Sequence, residues 1–210
     1  MKHIKTIIFD MGGVLLDLNT DKCLAAFAKI GFPQFSKYLD PYVQHGFFLD
    51  FERGKITSEE FCEEIRRLSG KEISNIDIIH ALEQFADGIP AYKLSTLLAL
   101  RRQYQVFMLS NCNDITISHL MKNDFRQQGL SIDDYFDRLF LSYKMGCTKP
   151  GKMIFEKLIE ESNINPQETL FLDDGEQNIL TGNELGFQTY LVKPKEDFRH
   201  LFFGPQTTLE

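Results

Sequence analysis

Short apolar runs alternate along this chain with segments whose apolar residues recur at helical spacing, and this alternation most limits how the chain can fold. Such runs predict strands, and the segments between them predict crossover helices that cover both faces of a parallel sheet. The predicted strands are Ile4–Phe9, Tyr104–Leu109, Arg138–Leu141, Thr169–Leu172 and Thr189–Val192. The sequence therefore predicts an α/β fold with a doubly wound, Rossmann-like parallel sheet.

The stretch between the first two predicted strands is far longer than an ordinary crossover and contains no convincing strand. Its apolar residues follow helical spacing, as at Leu24 and Phe27, and Thr57 with Glu60 predicts a capping box at a helix start. We therefore expect residues 18–91 to form an α-helical cap, inserted into an α/β core made of residues 1–17 and 92–210.

Charge and composition exclude several classes of protein. A net charge of −7 over 210 residues argues against binding to a nucleic-acid backbone, which requires a basic face. No leader sequence and no run of membrane-spanning length is present, so we expect a cytoplasmic protein without a membrane partner. Cys23, Cys62, Cys112 and Cys147 form no C-x-x-C pair, which predicts buried, reduced thiols.

Polar residues follow four of the predicted strands or the loops next to them. They lie in "TIIFDMGGVLLDL", "VFMLSNCN", "CTKPGKMIF" and "TLFLDDGEQN", and they are Asp10, Ser110, Asn111, Lys149, Asp173 and Asp174. Taken singly, an aspartate or a Ser-Asn pair after a strand is more often a turn or a helix cap. Two adjacent aspartates are harder to explain in this way, because burying like charges is costly without a cation.

The carboxyl ends of parallel strands converge on one crevice at the topological switch point of an open sheet. We therefore expect these polar side chains to lie together. They include a carboxylate nucleophile, cation ligands and donors for a phosphate, which are the groups that phosphoryl transfer requires. Because hard oxygen ligands favour magnesium, the predicted cofactor is Mg²⁺.

The order of these motifs resembles that of the haloacid dehalogenase superfamily of hydrolases. "FDMGGVL" resembles its first motif, Ser110 its second, "KPGKMIF" its third and Asp173 with Asp174 its fourth, and a helical cap follows the first strand. Within the superfamily, "FERGKITSEEF", "LSNCN" and "FLDDGEQNILTGNELG" look closest to the branch that includes bacterial α-glucose-1-phosphate phosphatase. The resemblance covers essentially the whole chain.

This resemblance implies a Mg²⁺-dependent phosphatase that hydrolyses a small phosphate monoester, such as a sugar phosphate, through an aspartyl phosphate. Asp10 would be the nucleophile, and Ser110 and Lys149 would hold the phosphate oxygens. Asn111 would add a phosphate donor or serve as a cap. The metal site would consist of Asp10, the carbonyl of Gly12 and Asp174, with Asp173 supporting the water shell or orienting Lys149.

The sequence departs from the common pattern at Gly12, where most phosphatases of the superfamily carry an aspartate that serves as general acid and base. General acid-base help is typically worth about 10²- to 10⁴-fold in rate. Glu52 is a candidate replacement, although we expect an exposed, helix-flanking glutamate there. A sugar 1-phosphate would depend less on an acid, because an anomeric hydroxyl is a better leaving group than an ordinary alcohol.

The cap segment "HGFFLDFERGK" is expected to lie over the crevice and to contact the substrate. Arg53 could hold a distal anionic or hydroxyl group, or form a surface salt bridge. Phe47, Phe48 and Phe51 are expected in the core of the cap.

Several other functions stay open. A dehalogenase would share Asp10 but lack the paired aspartates, and a signalling receiver would carry its acidic pair early in the chain. A phosphonate hydrolase would have a small residue at position 12 and a cap lysine, for which Lys55 or Lys37 are candidates. A pseudoenzyme that binds phosphate or a protein without turnover is also compatible with Gly12.

Overall fold

A five-stranded parallel sheet forms the centre of the computed structural model, which describes residues 3–40 and 44–204. The strands are β1 (Thr6–Phe9), β4 (Gln105–Ser110), β5 (Arg138–Leu141), β6 (Thr169–Asp173) and β7 (Gln188–Leu191). The strand order is β5-β4-β1-β6-β7, so the first strand of the chain lies in the middle. Every residue of β1 is buried, because helices cover both faces of the sheet. The predicted α/β fold with a parallel sheet is confirmed.

The helices outside the cap pack on both sides of the sheet. The helices outside the cap are α5 (Ala91–Leu100), α6 (Asp114–Lys122), α7 (Ile132–Tyr135), α8 (Ser142–Met145), α9 (Lys152–Ser162), α10 (Glu176–Glu184) and α11 (His200–Phe203). Short 3-10 helices lie at Asp124–Arg126 and Pro166–Glu168. One apolar cluster includes Ile7 and Phe9 and the other includes Ile8, so alternate residues of β1 serve opposite faces.

A two-stranded antiparallel ribbon joins the cap to the sheet region. It consists of β2 (Asp17–Leu18) and β3 (Ala86–Gly88). The sequence predicts no strand here, because these strands are very short and only partly buried, and so carry no apolar run. The ribbon lies close to the predicted domain limits at 17/18 and 91/92, although β2 spans the first of them. Those limits stay a prediction.

Between β2 and β3, the described residues 19–40 and 44–85 form four α-helices and one 3-10 helix. They are α1 (Thr20–Lys29), the 3-10 helix Pro33–Lys37, α2 (Gly46–Glu52), α3 (Ser58–Ser69) and α4 (Asn75–Glu83). The capping box predicted from Thr57 and Glu60 starts α3. An aromatic cluster fills the space between the helices, with the ring centroids of Phe51 and Phe61 4.5 Å apart. These helices therefore have an apolar core of their own.

The cap packs on the rest of the molecule mainly through α6. Ile115 of α6 belongs to the apolar cluster of the cap, and Ser58 at the start of α3 donates a hydrogen bond to Asp114. The four cysteines are buried and unpaired, as predicted. Among the helices described, none combines the length and apolar character needed to cross a membrane.

Candidate active site

Asp10 directly follows β1, and its backbone N–H continues the sheet by donating to the Leu172 carbonyl at 2.9 Å. Its side chain is oriented through one oxygen only. Oδ1 accepts from the backbone N–H of Met11 at 2.7 Å and from Lys149 Nζ at 2.8 Å. Within the described ranges Oδ2 accepts no hydrogen bond, so one carboxylate oxygen is held and the other is free for chemistry.

Lys149 lies between two carboxylates in the interior. Its Nζ is 2.8 Å from Asp10 Oδ1 and 2.6 Å from Asp173 Oδ2, and its side chain is only 1% exposed. Burial alone would lower the pKa of Lys149, but the charges of Asp10 and Asp173 and their hydrogen bonds raise it above its ordinary value. The ammonium group is therefore a fixed positive charge.

Asp173, the last residue of β6, is fully buried and has its hydrogen bonds supplied by the protein. Oδ2 accepts from Lys149, while Oδ1 accepts from the backbone N–H of Gly175 and from Asn178 Nδ2, both at 2.8 Å. This pattern favours orientation of Lys149, which is one of the two roles that the family resemblance implied for Asp173.

Asn111 is bonded to the backbone of Lys149 in both directions. Its Oδ1 accepts from the Lys149 N–H, and its Nδ2 donates to the Lys149 carbonyl, each at 2.9 Å. One N–H of this amide is left for a ligand. Ser110 ends β4, is buried and donates to the Asn111 carbonyl at 3.3 Å. The predicted phosphate contacts of Ser110 and Asn111 stay predictions.

The carboxylate of Asp174 lies directly against the glycine pair that follows β1. A Cβ atom placed on Gly13 would lie 2.0 Å from Asp174 Oδ2, and Gly13 has a φ of +72°. Only glycine meets both conditions, since it has no Cβ and adopts positive φ at no steric cost. The second glycine of "FDMGGVL" thus allows Asp174 to approach Asp10.

Asp10, Asp173 and Asp174 can each place a carboxylate oxygen within 4.8 Å of the others. Burial raises the pKa of Asp10 above its ordinary range, and Asp173 and Asp174 raise it further against the effect of Lys149. Burial and the charge of Asp173 likewise raise the pKa of Asp174 to about 6. Because three carboxylates face one ammonium group, the cluster lacks two positive charges, and a divalent cation fits it.

A cavity of about 70 Å³ opens between this cluster and the cap. Its described lining includes Asp10, Met11, Gly12, Leu16, Leu18, Gln44, Phe48, Glu52, Phe85, Asn111, Cys112, Asn113, Thr116, Lys149, Asp174 and Asn178. Gly12 therefore faces the cavity, and a Cβ placed on it would lie 3.1 Å from a methyl group of Leu18. Ser110, Asp173 and Arg53 do not belong to this lining.

Glu52 corrects one expectation from the sequence. It is not an exposed flanking glutamate, since it is only 7% exposed at the end of α2 and lines the cavity. Burial, and then the charge of Asp10, raise its pKa to about 8, although Lys149 opposes this shift. No sequence signal marked this burial, because it depends on how α2 packs against distant parts of the chain.

Of the other candidate cap residues, Arg53, Lys55 and Lys37 lie away from the cavity lining. Arg53 Nε donates to Thr148 Oγ1 at 3.3 Å, where the cap meets the core, so the predicted substrate contact of Arg53 stays a prediction. Lys55 forms an exposed ion pair with Asp50 at 3.0 Å, and Lys37 is exposed. Phe48 and Phe51 are in the cap core as predicted, and Phe48 also reaches the cavity.

A family model for haloacid dehalogenase-like hydrolases matches residues 4–186. This chain belongs to that family. The prediction of a hydrolase of this superfamily is thereby confirmed, while the narrower placement beside α-glucose-1-phosphate phosphatase is not.

Individual relatives agree with this result. The chain is 40% identical to D-ribitol-5-phosphate phosphatase of Bacteroides thetaiotaomicron, over 93% of this chain and 95% of the relative. A haloacid dehalogenase family enzyme of the same organism, solved with magnesium and inorganic phosphate, superposes with a TM-score of 0.90 at 42% identity, over 95% of this chain and 99% of that one. A predicted family hydrolase from Porphyromonas gingivalis gives a TM-score of 0.87 at 38% identity, over 93% and 94%. The magnesium in the second of these agrees with the predicted cofactor.

Proposed function

We propose that this protein is a Mg²⁺-dependent phosphatase that hydrolyses a small polyol or sugar phosphate through an aspartyl phosphate on Asp10. The observation that carries the proposal is the asymmetry of the Asp10 carboxylate. Met11 and Lys149 hold Oδ1, whereas no donor from the described part of the chain reaches Oδ2, which lies beside a cavity. A carboxylate oriented in this way can attack phosphorus with little reorganisation.

The steps assign a role to each neighbouring group. Asp10 Oδ2 forms a bond to phosphorus while the bond to the ester oxygen breaks, and water later hydrolyses the acyl phosphate. Lys149 keeps its proton and neutralises charge near the phosphate, and Asp173 and Asn111 hold Lys149 in place. Mg²⁺, held by Asp10, Asp174 and the Gly12 carbonyl, would offset the negative charge of phosphate and carboxylates.

The relatives support this substrate class. D-Ribitol-5-phosphate phosphatase, 40% identical over nearly the whole length of both chains, is named for a linear polyol phosphate. A pyrimidine 5'-nucleotidase of Escherichia coli is 29% identical over 68% of this chain and 64% of its own. The higher identity over nearly the whole of both chains supports a polyol or sugar phosphate over a nucleotide.

The remaining alternatives receive less support. A phosphonate hydrolase of the predicted type needs a cap lysine at the reaction site, and Lys149, which is not in the cap, is the one lysine lining the cavity among the described residues. A pseudoenzyme would not need the free Oδ2 of Asp10. Measured turnover is the result that would exclude the pseudoenzyme.

Phosphate release tests the proposal directly. We would assay a ribitol phosphate, glucose 1-phosphate, a pyrimidine nucleotide and p-nitrophenyl phosphate, each with Mg²⁺ and with EDTA. We expect phosphate release from the polyol or sugar phosphate, and we expect this release to require Mg²⁺. An absence of turnover and of any burst with all four esters would favour the pseudoenzyme.

A further inference from the structure

Glu52 is a buried carboxyl group without an evident structural task. Within residues 3–40 and 44–204 its side chain forms no hydrogen bond and no ion pair, yet it is only 7% exposed. Its place at the end of α2 is also unfavourable for a charged carboxylate, because the carboxyl end of a helix is electronegative. Burying an unpaired carboxyl group costs stability, so a role in function has to be considered.

Several contacts fix Glu52 relative to the nucleophile. Ser142 Oγ is 2.6 Å from the Glu52 carbonyl, to which it can donate, and it accepts from the Cys112 N–H at 2.9 Å in the loop after β4. Gly54, with φ +64°, brings the cap backbone against α8, since a Cβ there would lie 2.0 Å from the Tyr143 carbonyl oxygen. The adjoining Arg53 bonds to Thr148. The position of Glu52 thus depends on core residues as well as on the cap.

Among the described residues that line the cavity, Asp10, Asp174 and Glu52 carry the carboxyl groups. The first two belong to the predicted metal site, and no hydrogen bond joins Glu52 to either. Gln44 cannot substitute, because its amide is bonded in both directions to the backbone of Asp40. Glu52 is therefore the one described carboxyl group of the lining that is free of the metal cluster and faces the region where a substrate would bind.

We propose that Glu52 is a catalytic residue of the proposed phosphatase, acting from the cap as the general acid and then the general base that Gly12 cannot be. This inference rests on the proposed function. A proton from Glu52 would let a chain without an aspartate at position 12 hydrolyse an alkyl ester such as the polyol 5-phosphate for which the relative is named, since an ordinary alkoxide is a poor leaving group unless it is protonated.

The two half-reactions balance around one proton. First, Asp10 Oδ2 bonds to phosphorus, the bond from phosphorus to the ester oxygen breaks, and the proton of Glu52 passes to that oxygen, which leaves as the alcohol. Then a water oxygen bonds to phosphorus, the water proton passes to the Glu52 carboxylate, and the bond from phosphorus to Asp10 Oδ2 breaks. Inorganic phosphate leaves, and both carboxyl groups regain their starting states. The raised pKa of Glu52 agrees with a protonated starting state near neutral pH.

The test compares Glu52→Gln with the wild type on an alkyl phosphate, ribitol 5-phosphate, and on an aryl phosphate, p-nitrophenyl phosphate. We expect kcat for the alkyl ester to fall about 10²- to 10⁴-fold. With the aryl ester, nitrophenolate leaves without an acid, so a burst of one nitrophenolate per enzyme should persist, followed by slow turnover because the base for the second step is missing.

Matched variants separate chemistry from structure. Glu59→Gln removes an exposed carboxyl group from α3 and should change neither rate. Glu52→Asp keeps an acid and should retain more alkyl-ester activity than Glu52→Gln. Near pH 6, where the raised pKa of Glu52 keeps its carboxyl group protonated, thermal unfolding and Mg²⁺ affinity of Glu52→Gln should match the wild type, because the amide fits the same space and Glu52 is not a predicted metal ligand.

Three results would overturn the assignment of Glu52 without touching the proposed function: alkyl turnover within about threefold of wild type, an aryl burst slowed as much as the alkyl reaction, or equal losses in Glu52→Asp and Glu52→Gln. If the wild type hydrolysed neither ester and gave no burst, the proposed function itself would fail, and the role of Glu52 with it.

Discussion

The two sides of the cavity are built differently. On the sheet side, Asp173 accepts three hydrogen bonds, Lys149 contacts two carboxylates, and Asn111 secures the Lys149 backbone. On the cap side, Glu52 and Phe48 face the cavity, and the Glu52 carboxyl group is without a hydrogen bond in the described ranges. The sheet side thus supplies preorganised charge, whereas the cap side supplies a carboxyl group that is free to exchange a proton.

The two sides of the cavity also differ in what holds their polar groups in position. The polar groups of the sheet side are fixed by strands that carry them, so their geometry should survive movement of the cap. Glu52 reaches the cavity only while α2 is packed against Ser142 and Tyr143. Variants on the sheet side should therefore affect every substrate, while variants on the cap side should discriminate between substrates.

The largest effect is expected for Asp10→Asn, which removes the nucleophile and keeps its shape. Turnover should fall on the order of 10⁴- to 10⁶-fold for alkyl and aryl phosphates alike, as for loss of nucleophiles in other enzymes. Phosphate release and the nitrophenolate burst are the measurements, with Asp133→Asn on the exposed face of α7 as the control. Substantial residual turnover would contradict a covalent intermediate on Asp10.

Asp174→Ala should have the next largest effect, because it removes a direct carboxylate ligand from the predicted magnesium site. Loss of an outer-shell partner already costs about 10- to 100-fold in metal affinity, so loss of a ligand should cost at least that much. Titration calorimetry with Mg²⁺ and the Mg²⁺ dependence of turnover would measure it. Unchanged Mg²⁺ affinity would show that Asp174 is not a ligand.

The sheet side was predictable from the sequence because strands carry their chemistry at their ends. Asp10, Lys149 and the Asp173-Asp174 pair each follow or adjoin an apolar run, and parallel strands bring such residues to one crevice whatever the details of packing. The predicted strands agree with the observed ones to within two residues at each end.

The cap side was predictable only in outline. Helical spacing indicated its helices, but the burial of Glu52 results from contacts with Ser142 and Tyr143, about ninety residues further along the chain. The hydrogen bond from Arg53 to Thr148 likewise joins residues that are far apart in the sequence. Ribbon β2–β3 was missed because two or three partly buried residues give no periodic signal.

The pH dependence of stability should show a contribution from each side in the metal-free protein. The pKa of Asp174 is raised to about 6 and that of Glu52 to about 8, whereas both are about 4 in the unfolded chain, so between these values the folded state binds more protons than the unfolded state. Stability should therefore fall as pH rises from about 4 to about 6 through Asp174, and on to about 8 through Glu52, with each group contributing at most about 1.4 kcal/mol per pH unit.

Thermal unfolding in EDTA across this pH range measures the effect. Glu52→Gln should flatten the upper part of the profile, while excess Mg²⁺ should stabilise the protein most at high pH, where protons no longer compete for the carboxylates. A metal-free protein whose melting temperature rises with pH would show that these carboxyl groups are ionised in the fold without a cation.

The smallest effect is expected for Gly12→Asp, which would place a carboxyl group on the sheet side of the cavity. If Glu52 already transfers the proton, the change should raise alkyl-phosphate turnover little in the wild type. In the Glu52→Gln background, Gly12→Asp should raise alkyl-phosphate turnover about tenfold or more, within the range that an added acid can supply. The new Cβ needs a shift of the Leu18 methyl group, 3.1 Å away, so Gly12→Ala in the same background is the matched control for packing. Equal gains in both backgrounds would mean that the two carboxyl groups do not share a task, and that the cap serves the reaction in some way other than proton transfer.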